Sequence, residues 1–267
     1  MTIKLPFAQI DAFASTPFHG NQAAVMPLGA WLADDVLQAI AEENNVAETA
    51  FFIPHAGETA DYELRWFTPA VEVELCGHAT LASGHYLLGG DVDIDRIRFL
   101  TRKAGVLEVR RANGSYELDL PARHPLPANA DPRVVRALGL EPQAVLNFTG
   151  DNWLYVYTNA ADIRAMQPDF GLLRAVGNHL VIATAPGDQG YDVVSRVFAA
   201  GAGIDEDPVT GAAHAILTPY WTQRLACSGF RAYQASPRGG IVECRLEGGR
   251  AVLGGDCVTV IEGTFTL

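Results

Sequence analysis

CGHATLASGHYLLGG (residues 76–90) and TGAAHAILTPYWTQRL (residues 210–225) decide how this chain is read. Both are apolar almost all round, which predicts helices buried on every side, not surface helices with one apolar stripe. Both open on a Gly-x-Ala step, Gly77-His78-Ala79 in the first and Gly211-Ala212-Ala213 in the second. The two glycines stand half a chain apart, and several short strand-like segments precede each. The spacing predicts two similar halves, each wrapping strands around one apolar helix. Gly89-Gly90 predicts where the first helix stops.

Working outward, IKLPFAQIDAF and QAAVMPL read as strands separated by the turn-rich STPFHGN. ADDVLQAIAEENN predicts a helix from Val36 and Ile40 and its good helix formers. ETAFFIP, YELRWF, RIRFL, GVLEVRR and YELDL read as further strands. PARHPLPANA (121–130) holds three prolines and little periodicity, and is read as a linker between residues 1–120 and 121–267. The last strand is left able to return to the first lobe. Past the linker, Asp131 and Pro132 are the N-cap and first residue of a short helix, and Asn159 caps another. AVLNF, NWLYVYT, HLVIATAP, YDVVSRVF, FRAYQAS, GIVECRL, AVLGG and VTVIEGTF complete the strands.

The chain has 267 residues, 49% of them apolar, and a formal net charge of -12. That charge repels nucleic-acid phosphates and anionic membranes, and no Lys/Arg run reverses it. A small anionic ligand would need local dipoles or a single cation to hold it. No apolar run is long enough to span a bilayer, and the first residues lack the apolar core of a signal peptide. Cys76, Cys227, Cys244 and Cys257 form no C-x-x-C pair, so neither a zinc site nor a disulfide framework is expected. A soluble cytoplasmic protein with reduced thiols is the expectation.

Chemistry can gather at the two helix starts, where unpaired N–H groups and a partial positive charge favour anions. Gly77 and Gly211 would let a ligand approach the backbone there, although tight turns alone also explain glycine. Three side chains have acid–base character. Glu48 leads into the apolar run Thr49-Ala50-Phe51-Phe52, which would desolvate it, or it sits solvated at a strand edge. His78, in a first helical turn, is expected to stay neutral, or to serve only in packing. His85, two turns on, can share its face, but a metal pair lacks a further ligand. Asp207 ends the acidic run Asp205-Glu206-Asp207, which either complements the following helix or clusters carboxylates so that one keeps a proton. Cys76 is read as a small buried residue, or as a thiol activated by the helix start.

Five segments in order, FASTPFHGNQAAV (13–25), NNVAETAFF (44–52), LRWFTPAVEVELCGHATLASG (64–84), SRVFAAGAGIDEDPVTGAAHAILTPYW (195–221) and QASPRGG (234–240), resemble the PhzF-type isomerase family of phenazine biosynthesis. The likeness runs nearly the full length. It implies an α+β, diaminopimelate-epimerase-like fold of two similar lobes, each a curved mixed sheet wrapped around a central helix. It also implies a cleft between the lobes in which Glu48 shuttles a proton on substrate carbon. Beside it, His78 and Asp207 hold the substrate or share in proton transfer. Asn21, Gly77, Ala79, Thr210, Gly211 and Ala212 fall at substrate-binding positions. The family implies no metal, no organic cofactor, a small anionic metabolite as partner, and a homodimer.

Two departures stand out. Ala212 takes the place of a serine common in the family, which removes one hydrogen bond and sets aside the best-known substrate, a dihydro-hydroxyanthranilate. Related amino-acid epimerases resemble this chain but carry Cys-Gly at both helix starts. Here the pair is Cys76 and Thr210, which argues against two-thiol racemisation. The expected activity is a cofactor-independent proton shift. An epimerase or dehydratase, and a binding protein without turnover, remain as alternatives.

Overall fold

The computed structural model describes residues 2–267 and divides into two compact units. The first runs to Leu120 and regains Gly254–Leu267, and the second is Pro121–Leu253.

In the first unit the elements are β1 (Lys4–Ala12), β2 (Asn21–Pro27), α1 (Asp34–Asn44), β3 (Glu48–Pro54), β4 (Tyr62–Phe67), β5 (Glu72–Val73), α2 (Gly77–Gly90), β6 (Arg96–Thr101), β7 (Val106–Ala112) and β8 (Ser115–Pro121). The sheet is mixed. β1 and β2 are antiparallel, β2 and β3 parallel, β3 and β4 antiparallel, β4 and β6 parallel, and β6, β7 and β8 form an antiparallel meander. The β1–β2 turn needs glycine at position 20, where φ is +64° and a Cβ would lie 2.2 Å from the Ala12 carbonyl oxygen. That turn delivers Asn21 to the first position of β2.

Helix α1 buries Leu37, Ile40 and Ala41 against Leu5, Met26, Leu28, Phe51 and Phe67. It ends on Asn45 in the left-handed region (φ 48°), whose N–H returns to the Ala41 carbonyl. Three residues later β3 begins at Glu48. Helix α2 is buried at every residue from Gly77 to Gly84, as its uninterrupted apolar composition predicts. It packs close to β7: a Cβ at Gly84 would stand 2.3 Å from Val109 Cγ1. The helix ends at Gly90, at the predicted Gly89-Gly90 stop, although without a left-handed glycine cap. Neither glycine takes a left-handed φ, both stay helical, and the chain leaves through an extended Asp91.

The second unit contains β9 (Leu126–Pro127), α3 (Pro132–Leu138), β10 (Ala144–Phe148), β11 (Asn152–Val156), α4 (Ala160–Ala165), α5 (Phe170–Val176), β12 (Leu180–Pro186), β13 (Val193–Ala199), a 3-10 turn (Ala200–Ala202), β14 (Ile204–Asp207), α6 (Gly211–Leu225), β15 (Gly229–Gln234), β16 (Gly240–Glu247) and β17 (Arg250–Gly255). Its sheet is mixed too, with β11–β12 and β13–β15 parallel and β10–β11, β12–β13 and β15–β16 antiparallel. Helix α6 lies against β15 and β16, and its Trp221 donates to Thr184 Oγ1 on β12.

Pro219 sits inside α6, where the missing N–H would leave the Ala215 carbonyl without a helical partner. The proline-rich segment read as a linker fills the gap, because Arg123 N donates to Ala215 O at 2.9 Å. That segment is therefore docked, with a short ladder between β9 and β10. Helix α5 and strands β5 and β14 have no counterpart in the sequence reading. The closing strand β18 (Cys257–Thr266) runs antiparallel along β1 from Lys4↔Thr266 to Ala12↔Cys257. Residues 254–267 thus leave the second unit for the first.

Each unit sets a mixed sheet against one apolar helix, which is the α+β architecture expected. Among the described residues no helix is long and apolar enough to cross a membrane.

Candidate active site

In the first unit three chain segments meet. The parallel register Ala23↔Glu48 sets the starts of β2 and β3 side by side. His78, second residue of α2, reaches both. Its Nε2 lies 3.1 Å from Glu48 Oε2 and 3.2 Å from the Gln22 carbonyl oxygen. Both partners are acceptors, so Nε2 carries a hydrogen. On the other edge, Nδ1 faces Asn21 Nδ2 at 3.2 Å and Cys76 Sγ at 3.5 Å. The Asn21 amide can turn either its nitrogen or its oxygen to Nδ1, and so matches both protonation states of the ring.

The group is withdrawn from water: Asn21 is fully buried, and the His78 and Glu48 side chains are 5% and 13% exposed. Burial opposes a charged imidazole, but the hydrogen bond to the Cys76 sulfur and the charge of the Glu48 carboxylate outweigh it. They hold His78 well above its ordinary value. The neutral ring expected from the helix start is corrected by these two neighbours. The Cys76 thiol is pushed up to about 11 by burial and then by Glu48, so the activated thiol is also ruled out, and Cys76 is the small buried residue.

Glu48, Cys76 and His78 bring ligand-type atoms within 4.8 Å of one another. The thiol addresses Nδ1, however, and the carboxylate Nε2. One ring cannot turn both nitrogens to a single ion, so this set serves proton chemistry better than chelation. His85 does not share this place. It meets Thr259 Oγ1 at 3.0 Å and stacks edge-on to Tyr116.

In the second unit the acidic run separates. Asp205 pairs with Arg174 at 2.6 Å and Glu206 with Arg196 at 2.7 Å. Of the two readings, a cluster of carboxylates sharing a proton does not form, because Asp205 and Glu206 are each drawn to an arginine. Asp207 instead accepts a hydrogen bond from Thr210 Oγ1 on Oδ2 at 2.5 Å. Gln234, fully buried at the end of β15, accepts the Thr210 N–H at 2.9 Å and donates to the Asp207 carbonyl at 2.7 Å. Ser236 donates to the Pro208 carbonyl at 2.8 Å.

Helices α2 and α6 begin at Gly77 and Gly211, and neither Cys76 nor Thr210 offers its side chain as a cap. Ala79 is fully buried in the first turn of α2, and Ala212 is partly exposed in that of α6. Asn21, Glu48 and His78 thus converge in the first unit, and Asp207 and Thr210 in the second.

The phenazine biosynthesis-like family matches residues 10–263. This chain belongs to that family. An uncharacterised isomerase of Pseudomonas aeruginosa is 46% identical over 266 residues, covering 99% of this chain and 100% of the relative. An isomerase of Halalkalibacterium halodurans is 39% identical, covering 98% of each. A PhzF family protein from Enterococcus faecalis superposes with a TM-score of 0.90 at 38% identity, covering 98% of this chain and 99% of that one. The chain is a PhzF-like isomerase. Sequence reasoning missed Gln234, Ser236, Arg174 and Arg196. Gln234 and Ser236 stand in the matching segment QASPRGG, but a glutamine carries no signal until its hydrogen-bond partners are known.

Proposed function

We propose that this PhzF-like isomerase moves a proton on a small carboxylate-bearing metabolite without a cofactor, with Glu48 as the group that carries the proton. The observation supporting this is the contact of 3.1 Å between Glu48 Oε2 and His78 Nε2, both groups nearly closed to water. Glu48 takes a proton from a carbon next to an unsaturated system, and the electron pair left behind moves into that system. The proton returns at the conjugated position, so no atom is gained or lost. A charged His78 beside the site steadies the negative charge that develops. The uncapped start of α2 (Gly77, Ala79), beside Asn21, supplies N–H groups for the substrate carboxylate; in the second unit the start of α6 (Gly211, Ala212) offers N–H groups of the same kind, the Thr210 N–H being held by Gln234, and by family likeness the Thr210 and Asp207 side chains hold substrate.

The test is Glu48→Gln, assayed in deuterated water on a substrate turned over by the native chain. A loss of about 10²–10⁴-fold is expected, the usual range for general acid–base groups. Undiminished deuterium incorporation removes Glu48 from the role.

A second reading is epimerisation or dehydration in the same place. Cys76 favours it, as a protonated thiol 3.5 Å from His78 that offers a second proton. Thr210, at the start of α6, disfavours it, being far too weak an acid. Exchange of the α-proton of amino or hydroxy acids, followed by NMR, would support it, and no exchange across such a panel would end it. A cytoplasmic homodimer completes the proposal by family likeness, and a monomer by light scattering at micromolar concentration would contradict the dimer.

A further inference from the structure

We infer that Gln234 is a positioning residue that holds Asp207 as a hydrogen-bond-accepting carboxylate, acting through the Thr210 hydroxyl. The inference deepens the proposed function, because only that reading gives Asp207 a place in the reaction.

The direction of the hydrogen bonds carries it. Gln234 Oε1 receives the Thr210 N–H at 2.9 Å, which fixes the amide one way round. The reverse orientation would set the NH2 group against an N–H and an oxygen against the Asp207 carbonyl. Nε2 therefore donates, to the Asp207 carbonyl at 2.7 Å and to Thr210 Oγ1 at 3.3 Å. A hydroxyl that receives from Gln234 turns its own hydrogen elsewhere, and Asp207 Oδ2 lies 2.5 Å away. Protons thus point one way along the chain, from Gln234 to Thr210 to Asp207. While the chain is intact Oδ2 accepts, so Asp207 serves as a negative charge or a base and does not donate from that oxygen.

Neither Gln234 nor Thr210 carries a group that ionises near neutral pH, and Gln234 has no other side-chain partner in the network. The backbone around it is secured separately. β15 runs parallel to β13 up to Ser195↔Gln234, and Ala235 N donates to Ser195 O at 2.7 Å. Ser236 clasps the same loop through Pro208, and Gly239 N donates to Ser236 Oγ at 3.0 Å. Losing the Gln234 amide therefore removes the directional bonds and leaves the second clasp in place.

The experiment follows the Asp207 carboxyl carbon of the full chain through a pH titration by NMR, with 13C-labelled aspartate and Asp207→Asn to assign the signal. Gln234→Met and Thr210→Val are each expected to raise the Asp207 midpoint by about one pH unit, the scale of a lost hydrogen bond to a carboxylate. Thr210→Ser keeps the hydroxyl and is expected to restore the native titration. Ser236→Ala loosens the loop without touching the donor chain and is expected to leave the midpoint unchanged. An unmoved midpoint in Thr210→Val overturns the inference, even if Gln234→Met fails to fold. An equal shift in Ser236→Ala overturns it as well, since any loosening would then suffice. Full turnover by Asp207→Asn would instead break the catalytic reading of Asp207 and leave these titrations standing.

Discussion

At the start of α2 an imidazole stands between a carboxylate and a thiol, and at the start of α6 a hydroxyl stands between an amide and a carboxylate. The backbones agree: Cys76 at φ −137°, ψ 106° and Thr210 at φ −112°, ψ 102° are both extended, and neither caps its helix. The side chains do not agree. His78 has acceptors on one edge and groups of either sense on the other, so it can gain or lose a proton without breaking its surroundings. Thr210 sits in a chain with one direction, and no proton can pass along it without reversing every bond. Equivalent backbone positions thus carry different chemistry: one start is built to handle protons, the other to hold a charge still.

The largest effect that can break this contrast is on turnover. His78→Gln is expected to lower it by about 10²–10³-fold, the range for removing one group that stabilises developing charge. Thr210→Ser, which keeps the hydroxyl, is expected to stay within about threefold of native, an order-of-magnitude expectation for a retained hydrogen bond. Both are read by deuterium incorporation from solvent into a substrate of the native chain. Equal losses would mean that both starts take part in proton transfer.

The next effect is on stability against pH. The folded state holds His78 above its ordinary value through Cys76 and Glu48. The folded chain therefore keeps a proton that the unfolded chain has released. This contribution is fully present below the unfolded imidazole value near 6.5 and is lost as pH rises through the folded value. Cys76, pushed up to about 11 from an ordinary 9, extends the loss, because above pH 9 only the unfolded thiol ionises freely. Urea unfolding between pH 6 and pH 10 is expected to show stability falling as pH rises, with the Cys76 part, at most about 1.4 kcal/mol per pH unit, confined to the range above pH 9. His78→Gln is expected to flatten the part of that slope below pH 9. A slope unchanged in the variant would place its source elsewhere.

The sequence showed the two apolar helices and most strands because burial on all sides leaves an unbroken apolar run, and alternation marks a strand with one wet face. It showed Glu48 and His78 as candidates because ionisable groups beside such runs are costly to bury. It did not show that Cys76 and Glu48 would reverse the effect of the helix start on His78, since that balance depends on two distances of 3.5 and 3.1 Å. Nor did it show the parting of Asp205 and Glu206, whose arginines lie far off in sequence at positions 174 and 196. The docking of the proline-rich segment was hidden for the same reason. Pro219 announces a missing donor, but not that Arg123 supplies it. Long-range pairing, rather than local pattern, is what the one-dimensional reading lacks.

The smallest effect tests whether an uncapped start means anything. Helices α3, α4 and α5 are capped by Asp131, Asn159 and Asp169, which accept from the N–H groups of Arg133, Asp162 and Leu172. Helices α2 and α6 have neither a side-chain cap nor an acidic residue in the first turn. If caps are worth their usual energy, the bare starts are sites where stability has been forgone for open N–H groups. Asp131→Ala is expected to cost about 1 kcal/mol in urea unfolding and to leave turnover unchanged. Asp131 also pairs with Arg133 at 2.6 Å, so the alanine variant removes an exposed ion pair together with the cap. Asp131→Asn separates the two, because asparagine caps as well as aspartate and carries no charge. Its cost is expected to stay within a few tenths of a kcal/mol, since exposed ion pairs contribute little. If the asparagine variant loses as much as the alanine one, the stabilisation lies in the ion pair. The difference between capped and bare helix starts would then carry no weight in locating the site.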